Sequence, residues 1–126
     1  MTVRELIGGE IAWIEPSATL REAARRMYLS DIGALAVESD GELRGIFTER
    51  DLIRAFVLCR EPEVEQLEDW MTPYPDSFGP EISVETAATW LLAAGYRHLP
   101  VVDGPSAIGM ISINDILWAL TEPTLA

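Results

Sequence analysis

The chain has 126 residues, enough for one compact domain or two half-domains sharing a core, and its 48% apolar and 24% charged residues are the balance of an ordinary soluble globule. Twenty-one acidic residues face nine basic ones, all of them Arg, for a net charge of −12; nucleic acid and anionic membrane are not expected as partners, because such a surface gains neither counterion release nor steering from them. With one cysteine (Cys59) and one histidine (His98) the chain can form no internal disulfide, and no Cys/His metal site or thiol–imidazole pair is expected.

Taken in chain order, "MTVRELIGGE" lacks the basic start and apolar core of a signal peptide. A short helix is predicted over "VRELI" and a short strand near "IAWI". After Pro16, Thr19 stands as an N-cap before Leu20, Ala23, Ala24, Met27 and Tyr28, the spacing of one apolar helix face. "ALAVE" and "LRGIFT" read as strands around the turn "SDGE", and a second helix runs from Thr48 to about Leu58. "REPEVEQ", residues 60–66, is polar, acidic and proline-containing and reads as a linker. The series then recurs: a short helix over "QLEDWM", a strand near "DSF", and Ser83 capping Val84, Ala87, Ala88, Leu91 and Leu92. Strands "HLPVVD" and "AIGMIS" follow around "DGPSA", and a last helix runs from Ser112 to about Leu120. The longest apolar stretches are too short to span a bilayer. With the lone thiol and the missing leader, a cytoplasmic location is expected.

The recurrence is a repeat. Shifted by 64 residues, the chain pairs with itself without a gap from Val3 to Val57. Pro16 meets Pro80, Ala23–Ala24 meet Ala87–Ala88, Leu35 and Val37 meet Leu99 and Val101, and Gly45, Asp51 and Ala55 meet Gly109, Asp115 and Ala119. One half alone cannot cover both faces of its sheet, whereas two halves packed together can.

"GIFTERD" and "GMISIND" each end a strand and open a helix with hydroxyl-x-x-Asp, Thr48/Asp51 and Ser112/Asp115. Such a pair can be a capping box that only satisfies the helix start. The same geometry suits a ligand, because a helix N-terminus and its hydroxyl can meet phosphate and a carboxylate one turn on can accept two ribose hydroxyls. The spacing alone does not choose between the two.

Two strand-helix-strand-strand-helix repeats, "GIFTERD" and "GMISIND" at the last helices, "RHLPVVD" on a middle strand and "DWMTP" at the join together resemble a tandem pair of CBS domains, a Bateman module. The resemblance covers essentially the whole chain. It implies an α+β fold of two pseudo-twofold-related repeats packed through their sheets, residues 1–59 and 67–126 joined by the linker at 60–66. It also implies two clefts between the repeats that take adenine nucleotides such as AMP, ADP or ATP, or S-adenosylmethionine. Carried over, one cleft would use Thr48, Asp51 and Arg50 with Gly33 and Ala34. The other would use Ser112 and Asp115 with Arg97 and His98. Residues 12–14 and 77–78 would close the slots. Two departures stand out: Ala36 replaces the proline found at Pro100, and Asn114 stands where Arg50 does.

The expected function is therefore a stand-alone regulatory module that binds an adenine nucleotide and signals by a change of shape to an unknown target protein. It needs no cofactor and has no metal and no catalytic residues. A homodimer is expected from the helices "LIRAFVLC" and "ILWAL", which are apolar on most sides. The alternatives are a ligand-free structural dimerisation module and an S-adenosylmethionine binder. Cys59 is expected to be a passive thiol, and the four tryptophans, Trp13, Trp70, Trp90 and Trp118, core or dimer contacts.

Overall fold

The computed structural model describes residues 1–7 and 11–121. In chain order these form α1 (Val3–Leu6), β1 (Trp13–Ile14), α2 (Leu20–Ser30), β2 (Ala34–Ser39), β3 (Glu42–Thr48), α3 (Glu49–Leu58), a single 3-10 turn (Leu67–Asp69), β4 (Thr72–Pro73), α4 (Val84–Ala94), β5 (His98–Asp103), β6 (Ser106–Ser112) and α5 (Ile113–Thr121). The fold is α+β, with a helix-strand-strand-helix series laid down twice, as α2-β2-β3-α3 and α4-β5-β6-α5.

The chain divides into two compact units that are not the two sequence repeats. One is contiguous, Ala12–Pro75; the other is composite, made of Met1–Ile11 and Asp76–Ala126. In the contiguous unit the sheet order is β1-β2-β3-β4, with β1 parallel to β2 and the other pairs antiparallel. Leu20, Ala23 and Met27 of α2 pack on Leu35, Val37, Phe47, Ala55 and Leu67. Each large side chain removed from water there contributes about 1.5–3 kcal/mol. In the composite unit β5 and β6 form an antiparallel pair that Phe78 joins by a parallel bridge to Val101. Its core gathers Val3, Phe78, Val84, Ala87, Leu91, Leu99, Val101, Ile111 and Ile116.

The first long helix of each unit is capped as its sequence demands. The Thr19 hydroxyl accepts from the Glu22 N–H at 3.1 Å, and the Ser83 hydroxyl from the Thr86 N–H at 3.1 Å. The buried stripe is narrower than the periodicity implied, because Tyr28 and Leu92 lie on the solvent side, 84% and 73% exposed. The helices end alike in a left-handed residue, Asp31 (φ 52°) after α2 and Gly95 (φ 74°) after α4. Both hairpins turn in two residues. Asp40 and Gly41 both have positive φ, the type I′ pattern; in the other hairpin Gly104 has positive φ and precedes Pro105, the type II′ pattern.

Proline explains one difference between the units. The Ala36 N–H donates to the Ala12 carbonyl at 3.0 Å and draws β1 into the sheet. Pro100, at the matching position, has no N–H to give. The Phe78 segment is held instead by its own N–H to the Pro100 carbonyl and by the Val102 N–H to the Phe78 carbonyl, both 2.9 Å.

Residues 60–66 are more than a polar tether. The Leu20 N–H donates to the Glu65 carbonyl (2.9 Å) and the Arg21 N–H to the Pro62 carbonyl (3.0 Å), so this stretch satisfies the first amides of α2. Its composite-unit counterpart is the bond from the Val84 N–H to the Met1 carbonyl, 3.0 Å. The bridges Thr19↔Gln66 and Thr2↔Ser83 repeat the pattern. The lead-in of each sequence repeat therefore completes the unit built around the other repeat's helices.

That exchange accounts for the two glycines that open "GIFTERD" and "GMISIND". A Cβ on Gly45 would sit 2.6 Å from the Thr72 carbonyl oxygen and 2.8 Å from Met71 Sδ. On Gly109 it would sit 2.6 Å from the Ile7 side chain, and Ile7 is the repeat counterpart of Met71.

Candidate functional site

Strand register assembles the expected residues into two separate corners, one in each unit. In the contiguous unit Ala34 pairs with Thr48, and the Gly33 carbonyl accepts from the Glu49 N–H at 3.0 Å. Gly33 and Ala34 therefore flank the start of α3. In the composite unit His98 pairs with Ser112, and the Arg97 carbonyl accepts from the Ile113 N–H at 3.0 Å, which sets Arg97 and His98 beside the start of α5.

Both hydroxyl-x-x-Asp pairs form the reciprocal cap. The Asp51 N–H donates to Thr48 Oγ1 at 3.2 Å and the Thr48 N–H to Asp51 Oδ2 at 3.0 Å. The matching distances at Ser112 and Asp115 are 3.1 Å and 2.9 Å. Each carboxylate meets the positive end of its helix.

The two corners then diverge. Asp51 is only 8% exposed. A buried carboxylate requires donors, and it receives the Thr48 hydroxyl (3.2 Å) and the Thr72 hydroxyl, 3.3 Å from Oδ1 and 3.4 Å from Oδ2. Arg54 adds an ion pair at 3.8 Å. Asp115 is half-buried, and among the described residues Ser112 alone hydrogen-bonds its carboxylate. Arg50 and Arg97 are both exposed, and neither makes an ion pair among the described residues.

Thr72 and Arg54 were not among the sequence candidates. Arg54 carried a sequence signal, its i+3 spacing from Asp51 on one helix, whereas Thr72 reaches Asp51 only through its place on β4. Tyr96 was missed as well; its hydroxyl donates to Asp76 at 2.7 Å and ties the start of the Phe78 segment to the residue before Arg97. This bond, then the Asp76 charge, raises the Tyr96 pKa.

Two hollows in the contiguous unit lie apart from its corner. One of about 290 Å³ sits toward the hairpin end of the sheet, lined by Pro16, Ser39, Arg44, Glu68, Met71 and Tyr74. The other, about 390 Å³, is an apolar groove between α2 and α3 lined by Leu20, Ala24, Leu52, Phe56 and Cys59, among others. The Cys59 thiol pKa is pushed up by burial and by Glu65 and Glu63, which makes it a poor nucleophile. Among the described residues there is no cluster of three or more His, Cys, Asp or Glu that could hold a metal, and no helix long and apolar enough to cross a membrane. Of the tryptophans expected as core or dimer contacts, Trp13, Trp90 and Trp118 are 49%, 53% and 60% exposed and so are not core residues, whereas Trp70 is half-buried against the core of the contiguous unit.

The CBS domain family model matches the chain twice, over residues 3–58 and 64–122. The chain belongs to the CBS domain family. The CBS domain-containing protein YhcV of Bacillus subtilis is 28% identical over 116 residues, 91% of this chain and 82% of YhcV. The crystal structure of the CBS domain protein NE2398 superposes with a TM-score of 0.89 at 29% identity, covering 100% of this chain and 98% of the other. CBSX2, solved in complex with AMP, gives a TM-score of 0.82 at 23% identity over 96% of this chain and 97% of its own, a likeness of fold. The two matched stretches make this a tandem CBS fold, and each CBS repeat carries one of the corners.

Proposed function

We propose that this CBS pair is a regulatory module that binds an adenine nucleotide at its hydroxyl–carboxylate corners and passes the occupancy on as a change of shape to a partner protein. The observation that carries the reading is the juxtaposition of three ligand-suited groups at one strand-to-helix junction: the Ser112 hydroxyl, the Asp115 carboxylate and the exposed Arg97 cation. Thr48, Asp51 and Arg50 beside Gly33 and Ala34 are the corresponding set. The hydroxyl and helix start suit phosphate, the carboxylate suits ribose hydroxyls, and the cation supplies the local charge that a protein of net charge −12 otherwise lacks. Long-range attraction cannot substitute, because charges beyond about 8 Å are largely screened at physiological salt. The AMP bound by CBSX2 supports the choice of ligand class.

Calorimetric titration with AMP, ADP, ATP and S-adenosylmethionine tests the proposal. At least one adenine nucleotide is expected to bind below millimolar concentration, and Arg97→Ala is expected to weaken ATP and ADP more than adenosine. No heat from any of the four at millimolar concentration leaves the corners as helix caps only.

The module is proposed to be a homodimer. Ile53, Phe56 and Val57 on α3 are 66%, 84% and 72% exposed, and Leu117 and Trp118 on α5 are 54% and 60% exposed. Helix faces this apolar call for a covering surface, and a second copy supplies one by twofold closure. Light scattering is expected to give roughly 28 kDa, twice the 13.9 kDa chain; a monomer mass at micromolar concentration overturns the claim.

A further inference from the structure

We propose that the polar hollow at the hairpin end of the contiguous unit binds a free α-amino acid, with Arg44 taking the carboxylate, Glu68 the ammonium group and Tyr74 standing at the mouth. The hollow lies apart from the corner at Thr48 and Asp51, and an amino acid here is independent of any nucleotide there.

Strand register puts the cation in place. Pairing passes from Val37↔Gly45 to Glu38↔Leu43, which leaves Arg44 as the extra residue of a β-bulge, a device that re-aims a side chain. Arg44 lines the hollow with Pro16, Ser39, Glu68, Met71 and Tyr74. Glu68 is carried by the turn Leu67–Asp69 and held by its own N–H, which donates to the Pro16 carbonyl at 3.3 Å. A guanidinium and a carboxylate thus share one hollow without pairing with each other. Arg44 is ion-paired to the exposed Glu42 at 3.5 Å, and among the described residues Glu68 makes no ion pair. A pair as exposed as Arg44–Glu42 contributes little, so the guanidinium fork is free to take a ligand carboxylate. Two opposite charges held apart select a ligand that carries both. The space, about 290 Å³, falls at the small end of the range for ligand pockets, about 300–1,000 Å³, and suits an amino acid better than a nucleotide.

Tyr74 is an independent observation. Its φ is 44°, an outlier for a bulky residue, and it precedes Pro75, a position biased toward extended backbone. The Tyr74 N–H donates to the Arg44 carbonyl at 3.0 Å and holds it there. The residue is 79% exposed, so packing of its ring does not account for the strain. Strain of this kind collects at ligand clamps. The composite unit differs in both charges. Ile108, the counterpart of Arg44 in the matching bulge, packs against the core, and Arg4, the counterpart of Glu68, is paired with Glu81 at 2.8 Å.

The test is ligand-observed NMR of the full chain with the twenty protein amino acids, followed by calorimetry on those that bind. At least one is expected to bind with a Kd below about 1 mM. Its N-acetyl derivative and its methyl ester, each lacking one charge, should bind at least about 10-fold more weakly. Arg44→Gln and Glu68→Gln should each cost a similar factor while leaving the melting temperature within about 2 °C of wild type. Tyr74→Gly should also weaken binding, yet melt no lower than wild type, because glycine adopts the left-handed conformation without strain. No binding by any of the twenty at about 10 mM overturns the proposal, as does an affinity that survives both charge variants. A derivative that binds as tightly as the free amino acid would make this a site for a chain end and overturns it too. Should a charge variant fail to fold, the two derivatives still decide.

Discussion

Glu65 shows how one side chain can turn a polar linker into structure. Its Oε2 accepts the backbone N–H of both Arg60 and Glu61 at 3.0 Å. The Glu61 bond, then the Arg60 bond, favours the charged form and lowers the Glu65 pKa. A carboxyl whose folded pKa is depressed adds stability above its unfolded value and loses it as pH falls through the folded one. The contribution should therefore be intact at neutral pH, begin to fall near about pH 4.3, the ordinary carboxylate value, and be gone below the lowered folded one. Glu65→Gln keeps an acceptor but cannot titrate, so its melting temperature should fall less steeply than wild type between about pH 5 and 3. Parallel melting curves over that range would show that the two hydrogen bonds carry no linkage. Asp51 teaches a related lesson. Read from sequence as a helix cap or a ribose acceptor, it is buried among three partner residues, Thr48, Arg54 one turn on along α3, and Thr72, whose place on β4 spacing along a helix does not reveal.

At the scale of elements, Asp31 and Gly95 hold the same place in the two repeats and the same left-handed conformation. Glycine adopts it without a Cβ penalty, whereas aspartate is strained by its side chain. Asp31→Gly should stabilise the protein by about 0.5–1 kcal/mol, a rise of a few degrees in melting temperature; a lower melting temperature would mean that the Asp31 side chain contributes something glycine cannot replace. The helices were the most legible part of the sequence. Thr19, Thr48, Ser83 and Ser112 announced their caps, and Leu20, Ala23 and Met27 announced the core face. Tyr28 and Leu92 misled, because periodicity marks a stripe but not how far a neighbouring element covers it. The corner partners at Gly33–Ala34 and Arg97–His98 followed from the family resemblance, and strand register places them beside the helix starts. The tryptophans were expected as core or dimer contacts; at 60% exposure Trp118 on α5 is no core residue, which leaves the dimer reading for it.

At the scale of the whole molecule, sequence repeat and compact unit part company. The 64-residue periodicity divides the chain near its middle, whereas packing assigns Met1–Ile11 to the unit of Asp76–Ala126. Periodicity cannot show this, since a short lead-in such as "VRELI" looks the same whichever repeat it packs on. Val3, fully buried among Val84, Leu91 and Leu99, gives the test. Val3→Ala should cost about 2 kcal/mol and speed hydrogen exchange in α4 and β5–β6, leaving β2–β3 protected. Faster exchange confined to β2–β3 would place the segment with the other unit.

The same arrangement sets an order of events at the ribosome. Residues 12–75 contain the whole hydrophobic core of their unit, so that unit can close once Pro75 has emerged, without residues 1–11, which are synthesised before it. Val3, Leu6 and Ile7 wait for Ile82 and Val84, some eighty residues downstream, which at ~5–20 residues per second is a delay of roughly 4–16 s. For that interval three apolar side chains of the composite unit lack the partners that bury them. Slow translation between codons 12 and 84 would lengthen the time in which a chaperone, or a neighbouring nascent chain, could capture them.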